Sequence, residues 1–379
     1  MKSLIHANVL TDDGWKPDQA VIWRDAQIVD VCDYKNRPQG TQIVADVQGD
    51  YLVPGFIDIQ VNGGGGVLFN DDPSVETIAR MGAAHRQYGT TGFFPTLISD
   101  TPAKMAKAIT AVNEAILAGV PGVLGIHLEG PHLNPDKRGV HDEHHFKPIG
   151  ASEVDLLCSL KKGKTIVTLA PEMTTPNVIS TLVGRGVIVS AGHTMASYDQ
   201  AMSAFDAGLS GVTHLYNAMP QLLSRAPGLI AAALEDARIW CGVIVDGHHV
   251  DPAMLQLALR AKADGQFMLV TDAMPSVGME DKNFKLGERE ITVKDGRCVT
   301  GDGTLAGSDL DMMSAVRNAT QMLGLSLRDA AQMASHNPAQ FIGVAGTTGY
   351  IGQGAPADIL RIGQDLKLKQ IWQAGCEVF

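Results

Sequence analysis

The chain has 379 residues, 45% of them apolar, and a formal net charge of −11. That length suits a large barrel with a small companion better than one average domain, and this much apolar material excludes a mostly disordered chain. The acidic balance argues against general nucleic-acid or membrane-surface binding, while a local cluster of Arg and His would still suffice to hold a small anionic substrate.

The opening segment MKSLIHANVLTDDGWKPD meets acidic residues too soon for a signal peptide. No apolar run reaches the ~18–20 residues that a membrane span requires, so the cytoplasm is the expected location. Residues 1–51 alternate apolar and polar positions around Asp-Gly turns, and residues 346–379 are again short strands with glycines. Neither end is long enough to bury a core alone, so the two are expected to assemble one small β-sandwich around a central domain, 52–345.

The centre has another rhythm. The apolar runs VPGFIDIQV, TGFFPTL, VLGIHLEG, KTIVTLAPE, GVIVSAGH, GVTHLYNA, WCGVIVDG and FMLVTDA are mostly separated by helix-like stretches such as VETIARMGAAHRQYG and MASYDQAMSAFDAG. Strand–helix units in this number predict an α/β fold, a (β/α)8 TIM-like barrel. A doubly wound open sheet would more naturally use fewer strands and a glycine-rich first turn. The glycine run 63–66 follows the first strand but is not GxGxxG, and it reads as a flexible loop. The cysteines Cys32, Cys158, Cys241, Cys298 and Cys376 are scattered and odd in number, which suits neither a disulfide framework nor a cysteine zinc site.

In such a barrel the chemistry gathers at the C-terminal ends of the strands. Run three ends in His127-Leu128-Glu129, run five in His193, run six carries Thr213-His214 and then Asn217, run seven ends in Asp246-Gly247-His248-His249, and run eight ends in Thr271-Asp272. A lone histidine is more often a hydrogen-bonded structural group than a ligand. His6, His85, His144 and His336 receive that reading, and His127 and His132 are taken as packing or supporting groups. Glu129, His193 and His214 are different, because a carboxylate and two imidazoles closing strands three, five and six are the ligand set of a catalytic metal site with an open water position. Asp272 could merely cap the following turn, but beside a bound metal it would hold or deprotonate the attacking water.

At these residues the sequence resembles the N-acetylglucosamine-6-phosphate deacetylase family of the amidohydrolase superfamily. The resemblance rests on PGFIDIQVNG, HLEGPHLNPDKRGVH, LAPE, SAGHT, THLYNAMP, APGL, DGHHVD, LVTDA and GTLAGSDLDM, in that order along nearly the whole chain. It implies the barrel with a small β domain, a homodimer, and hydrolysis of the sugar acetamide to glucosamine 6-phosphate and acetate in amino-sugar catabolism. It matches Glu129, His193 and His214 to the metal ligands, Asp272 to the catalytic acid/base and His141 to the histidine near the scissile carbonyl. It matches Val140, His141, Asn217, Ala218, Arg225, His249, Leu305, Ala306 and Gly307 to substrate contacts, with Arg225 suited to the phosphate and able to reach the neighbouring subunit's site.

Many amidohydrolases carry His-x-His at the end of strand one, where this chain has Gln60-Val61-Asn62. Amides are poor transition-metal ligands beside imidazole, so one divalent ion per subunit is expected, zinc first, with iron, cobalt or manganese also suited. Two rival readings are weighed against this one. An amidohydrolase acting on another N-acyl compound would have no use for a phosphate reader at Arg225 and His249. A catalytically dead scaffold would not need the intact ligand trio and Asp272.

Overall fold

The computed structural model describes residues 1–262 and 265–379. Every apolar run of the central segment becomes a strand: β1 Phe56–Val61, β2 Thr90–Ile98, β3 Gly125–Glu129, β4 Lys164–Leu169, β5 Ile188–Ala191, β6 Gly211–Val212, β7 Trp240–Val243 and β8 Phe267–Leu269. They pair in chain order and in parallel from β1 to β8. The ring closes just past β8, where Asp272 N–H donates to the Gln60 carbonyl at 3.0 Å and Val61 bridges Ala273 in parallel. This is the (β/α)8 barrel.

Helices follow the strands with ordinary start signals. Ser74, Thr101 and Asp311 cap theirs by accepting from backbone N–H groups three residues on, and Ser197 with Gln200 forms a capping box. Parallel strands covered on both faces read as continuous apolar runs, which is why they were legible. One contiguous core joins strands and helices, from Ile57 and Phe93 through Val167 and Val189 to Leu269 and Val316.

Strands from both ends of the chain form a second, eight-stranded sheet in the order Cys376–Glu377, Leu368–Gln373, Ile359–Ile362, Tyr51–Pro54, Lys2–Thr11, Gly14–Arg24, Gln27–Asp33, with Gln42–Asp46 also on Lys2–Thr11. Its hydrogen bonding is continuous across residues 1–54 and 359–377. Alternation sends Val53, Leu360 and Ile371 into the barrel's core, while Leu52, Ile359 and Trp372 pack a separate cluster with Leu4, Val21 and Trp23. Among the described residues, no helix is long and apolar enough to cross a membrane.

Two features differ from the expectations. The glycine run is not a loose loop: Gly63–Gly64 pairs with Val67–Leu68 in a tight ribbon. A Cβ on Gly63 would stand 2.5 Å from the Val67 carbonyl, and the Gly63 carbonyl accepts from His85 Nε2 at 2.8 Å. A four-stranded antiparallel insertion, Phe284–Leu286, Arg289–Lys294, Arg297–Val299 and Leu305–Ser308, stands after β8 where no element was predicted.

Candidate active site

The strand ends converge on a cavity of about 500 Å³ at the C-terminal mouth of the barrel. Glu129 ends β3, and His193 and His214 lie two residues past β5 and β6. All three are buried, and their ligand atoms lie within 4.8 Å of one another. Glu129 Oε1 is 3.2 Å from His193 Nε2 and 3.0 Å from His214 Nε2, and the two Nε2 atoms are 3.1 Å apart.

The proton positions follow from the outer contacts. His193 Nδ1 donates to the Lys137 carbonyl at 2.8 Å, so its Nε2 faces the cluster with a lone pair. Burial pushes the His214 pKa down, yet the Glu129 carboxylate more than reverses this, and the net direction is upward. Burial likewise raises Glu129, and the two imidazoles more than offset it, leaving the carboxyl well below its ordinary range. A carboxylate and inward-facing imidazole nitrogens that together demand positive charge are the donor set that fits a divalent cation.

Asp272 lies on the same cavity, three residues past β8. Burial first, and the nearby Glu129 charge second, raise its carboxyl to about 6. Asn62 Nδ2 donates to its Oδ1 at 2.6 Å and Gln60 Nε2 at 3.1 Å, while Gln60 Nε2 also lies 3.3 Å from Glu129 Oε2. The two amides therefore act as donors that orient the two carboxylates.

His193 (φ 48), His214 (φ 35) and Asp272 (φ 53) all have left-handed backbones, as does Ala218 (φ 49). Non-glycine residues rarely adopt this region, and its concentration here turns each side chain from the strand direction into the cavity.

His141 is buried, 4.4 Å ring to ring from His193. Burial and then the neighbouring His193 lower its pKa to about 3, so the ring is neutral. Ser99 N–H donates to its Nδ1 at 3.3 Å, which puts the ring proton on Nε2. His249 Nδ1 donates to Asp246 Oδ2 at 2.6 Å, and its side chain also lines the cavity.

Of the other expected contacts, Val140, Asn217, Ala218, Leu305 and Gly307 line the cavity. Two do not. Ala306 alternates away from Leu305 and Gly307 and is buried against Leu286, Ile291 and Cys298. Arg225 is exposed in the 221–226 segment and lies outside the cavity of its own chain. The supporting histidines behave as read: His127 sits between Thr96 Oγ1 (3.2 Å) and Thr168 Oγ1 (2.8 Å), and His132 meets the Lys147 carbonyl. Sequence reasoning missed Lys137, Arg297 and Thr304, which line the same cavity. Lys137 lies inside the HLEGPHLNPDKRGVH segment and could have been found there, whereas Arg297 belongs to the unpredicted insertion and carried no signal.

The Amidohydrolase family profile matches residues 51–375. The chain is 45% identical over 325 residues to an N-acetylgalactosamine-6-phosphate deacetylase of Shewanella sp. (strain ANA-3), covering 86% of this chain and 82% of that one. It is 35% identical to an N-acetylglucosamine-6-phosphate deacetylase of Haemophilus influenzae, with 83% of each chain covered. Among solved structures, N-acetylglucosamine-6-phosphate deacetylase from Pasteurella multocida superposes with a TM-score of 0.95 at 33% identity, covering 100% of this chain and 99% of that one.

Proposed function

Because the chain belongs to the amidohydrolase family, we propose that it hydrolyses the acetamide of N-acetylglucosamine 6-phosphate to glucosamine 6-phosphate and acetate. The observation that carries this reading is the convergence of Glu129, His193 and His214 on one point with Asp272 beside them on the same cavity. One divalent ion per chain is the proposed stoichiometry, with zinc first, because Gln60 and Asn62 are committed as donors to carboxylates.

When bound, such an ion supplies Lewis acidity and lowers the pKa of a water toward ~7. Asp272 takes the proton of the attacking water and returns it to the departing sugar nitrogen, which an amine leaving group requires. The Nε2–H of neutral His141 donates to the carbonyl oxygen as negative charge develops there. Asn62 and Gln60 keep the Asp272 carboxylate aimed through both proton transfers. His249, fixed by Asp246, contacts the sugar phosphate. Arg225, outside its own cavity, is proposed to hold the phosphate in the cavity of a second copy within a homodimer. A phosphorylated sugar does not cross a bilayer unaided, so we place the reaction in the cytoplasm.

The 45% identity to an N-acetylgalactosamine-6-phosphate deacetylase favours a second reading, in which the C4 epimer is the better substrate. Acetate release from both 6-phosphates and from plain N-acetylglucosamine tests the proposal. The phosphorylated sugars should be turned over with much higher kcat/KM than the plain one. Turnover of neither 6-phosphate would sink the reading, and the ratio between the epimers decides which sugar is native.

A further inference from the structure

We propose that Arg297 reads the phosphate of the substrate from within the same chain, so that each cavity carries a cationic anchor of its own. This rests on the sugar-phosphate reading above. Arg297 and Lys137 are the lysine and arginine side chains on the cavity wall, and among the described residues neither makes an ion pair or a side-chain hydrogen bond. Unlike Arg185, Arg238 and Arg361, which are held by Asp155, by Asp206 with Asp236, and by Asp50, Arg297 has no carboxylate to displace before it meets a ligand. In a chain of net charge −11, whose cavity floor carries Glu129 and Asp272, an unpaired guanidinium on the wall offsets the repulsion that a dianionic ligand meets on entry.

The position is also built. Arg297 opens the strand Arg297–Val299, which pairs with Leu305–Ser308 in the register Arg297↔Ser308 and Val299↔Leu305. Its reach is therefore fixed to the segment whose Leu305 and Gly307 line the cavity. The turn just before it abuts the β7 loop, since a Cβ on Gly296 would stand 3.6 Å from His248 Nε2. Arg297 and His249 thus reach the cavity from two touching loops. A guanidinium fork matches phosphate oxygens two at a time, and a plain hydroxyl gives it no comparable partner.

The test compares Arg297→Gln, Arg297→Lys and Arg289→Gln, the last removing a cation from the same insertion that does not line this cavity. Arg297→Gln should raise KM for N-acetylglucosamine 6-phosphate about tenfold or more, with kcat within about threefold. Its affinity for glucosamine 6-phosphate, measured by titration calorimetry, should weaken to match. Arg297→Lys should recover part of both, and Arg289→Gln should change neither. Unchanged KM and affinity in Arg297→Gln would overturn the proposal, as would an equal loss in Arg289→Gln, which would show only a diffuse charge effect. If the wild type turns over no N-acetylated sugar phosphate, the deacetylase reading fails by itself. The titration still decides Arg297, and a wild type that binds no glucosamine 6-phosphate removes the role as well.

Discussion

Gln60 and Asn62 determine what the carboxylates around them can do. Both amides donate to Asp272 Oδ1 and aim this carboxylate, while burial and the Glu129 charge outweigh them and keep it basic. Asp272→Asn keeps the shape and removes the base, so kcat should fall by about 10²–10⁴ while bound metal is retained. Steady-state kinetics with metal analysis check this, and near-normal turnover would remove Asp272 from the acid/base role. Asp58 offers a separate test. Burial raises its carboxyl to about 7, against hydrogen bonds from Thr271 and the Gln60 N–H. The folded chain therefore keeps a proton that the unfolded chain releases from about pH 4 upward. The resulting stability is full below the unfolded value and is lost as pH rises through about 7. Asp58→Asn should flatten that fall between pH 5 and 8 by on the order of 1–3 kcal/mol in urea unfolding. Parallel pH curves for variant and wild type would refute it.

At the scale of elements, the loop after β8 is tightly packed against the site. Gly307 has φ +59, and a Cβ there would stand 2.5 Å from Met274 Cγ and 2.8 Å from the Asp272 carbonyl. Gly307→Ala must therefore push against Asp272, the proposed acid/base. The change should cost about 1–3 kcal/mol in thermal unfolding and lower kcat together with stability. A variant with unchanged melting and kcat would show that the loop yields freely. The barrel strands were legible because each is buried on both faces and reads as a short apolar run. The insertion at 284–308 was not, because its strands are short and expose residues such as Lys285, Glu290 and Thr292. Arg297 was lost with it, while Leu305 and Gly307 on its last strand were found only through their motif. The glycine run at 63–66 was misread for a related reason: glycine signals freedom in sequence, and only the approach of Val67 and Pro275 shows that here it permits close packing.

At the scale of the whole molecule, the ion that fits Glu129, His193 and His214 also bears on stability, because these groups are buried and mutually dependent. Chelation should abolish hydrolysis and lower the melting temperature by a few degrees, and adding back zinc, iron, cobalt or manganese should restore both. Calorimetry of metal-free and reloaded protein measures this, and identical melting would argue against a tightly held ion. The proposed exchange of Arg225 between copies predicts complementation. Arg225→Ala and Asp272→Asn proteins, each impaired alone, should recover activity when mixed and refolded together. No recovery would confine each site to one chain.

The barrel and the meeting of Glu129, His193, His214 and Asp272 at its mouth were legible in the chain, because strand-end placement depends only on where apolar runs stop, and that is written locally. The sequence also carried most of the cavity wall through its motifs. The rest came from the folded chain alone: that Gln60 and Asn62 point their amide nitrogens at Asp272, that Ala306 turns away, that Arg225 misses its own cavity and that Arg297 lines it. Side-chain direction and the meeting of distant loops arise from left-handed residues, strand register and ring closure, none of which leaves a local pattern in the chain.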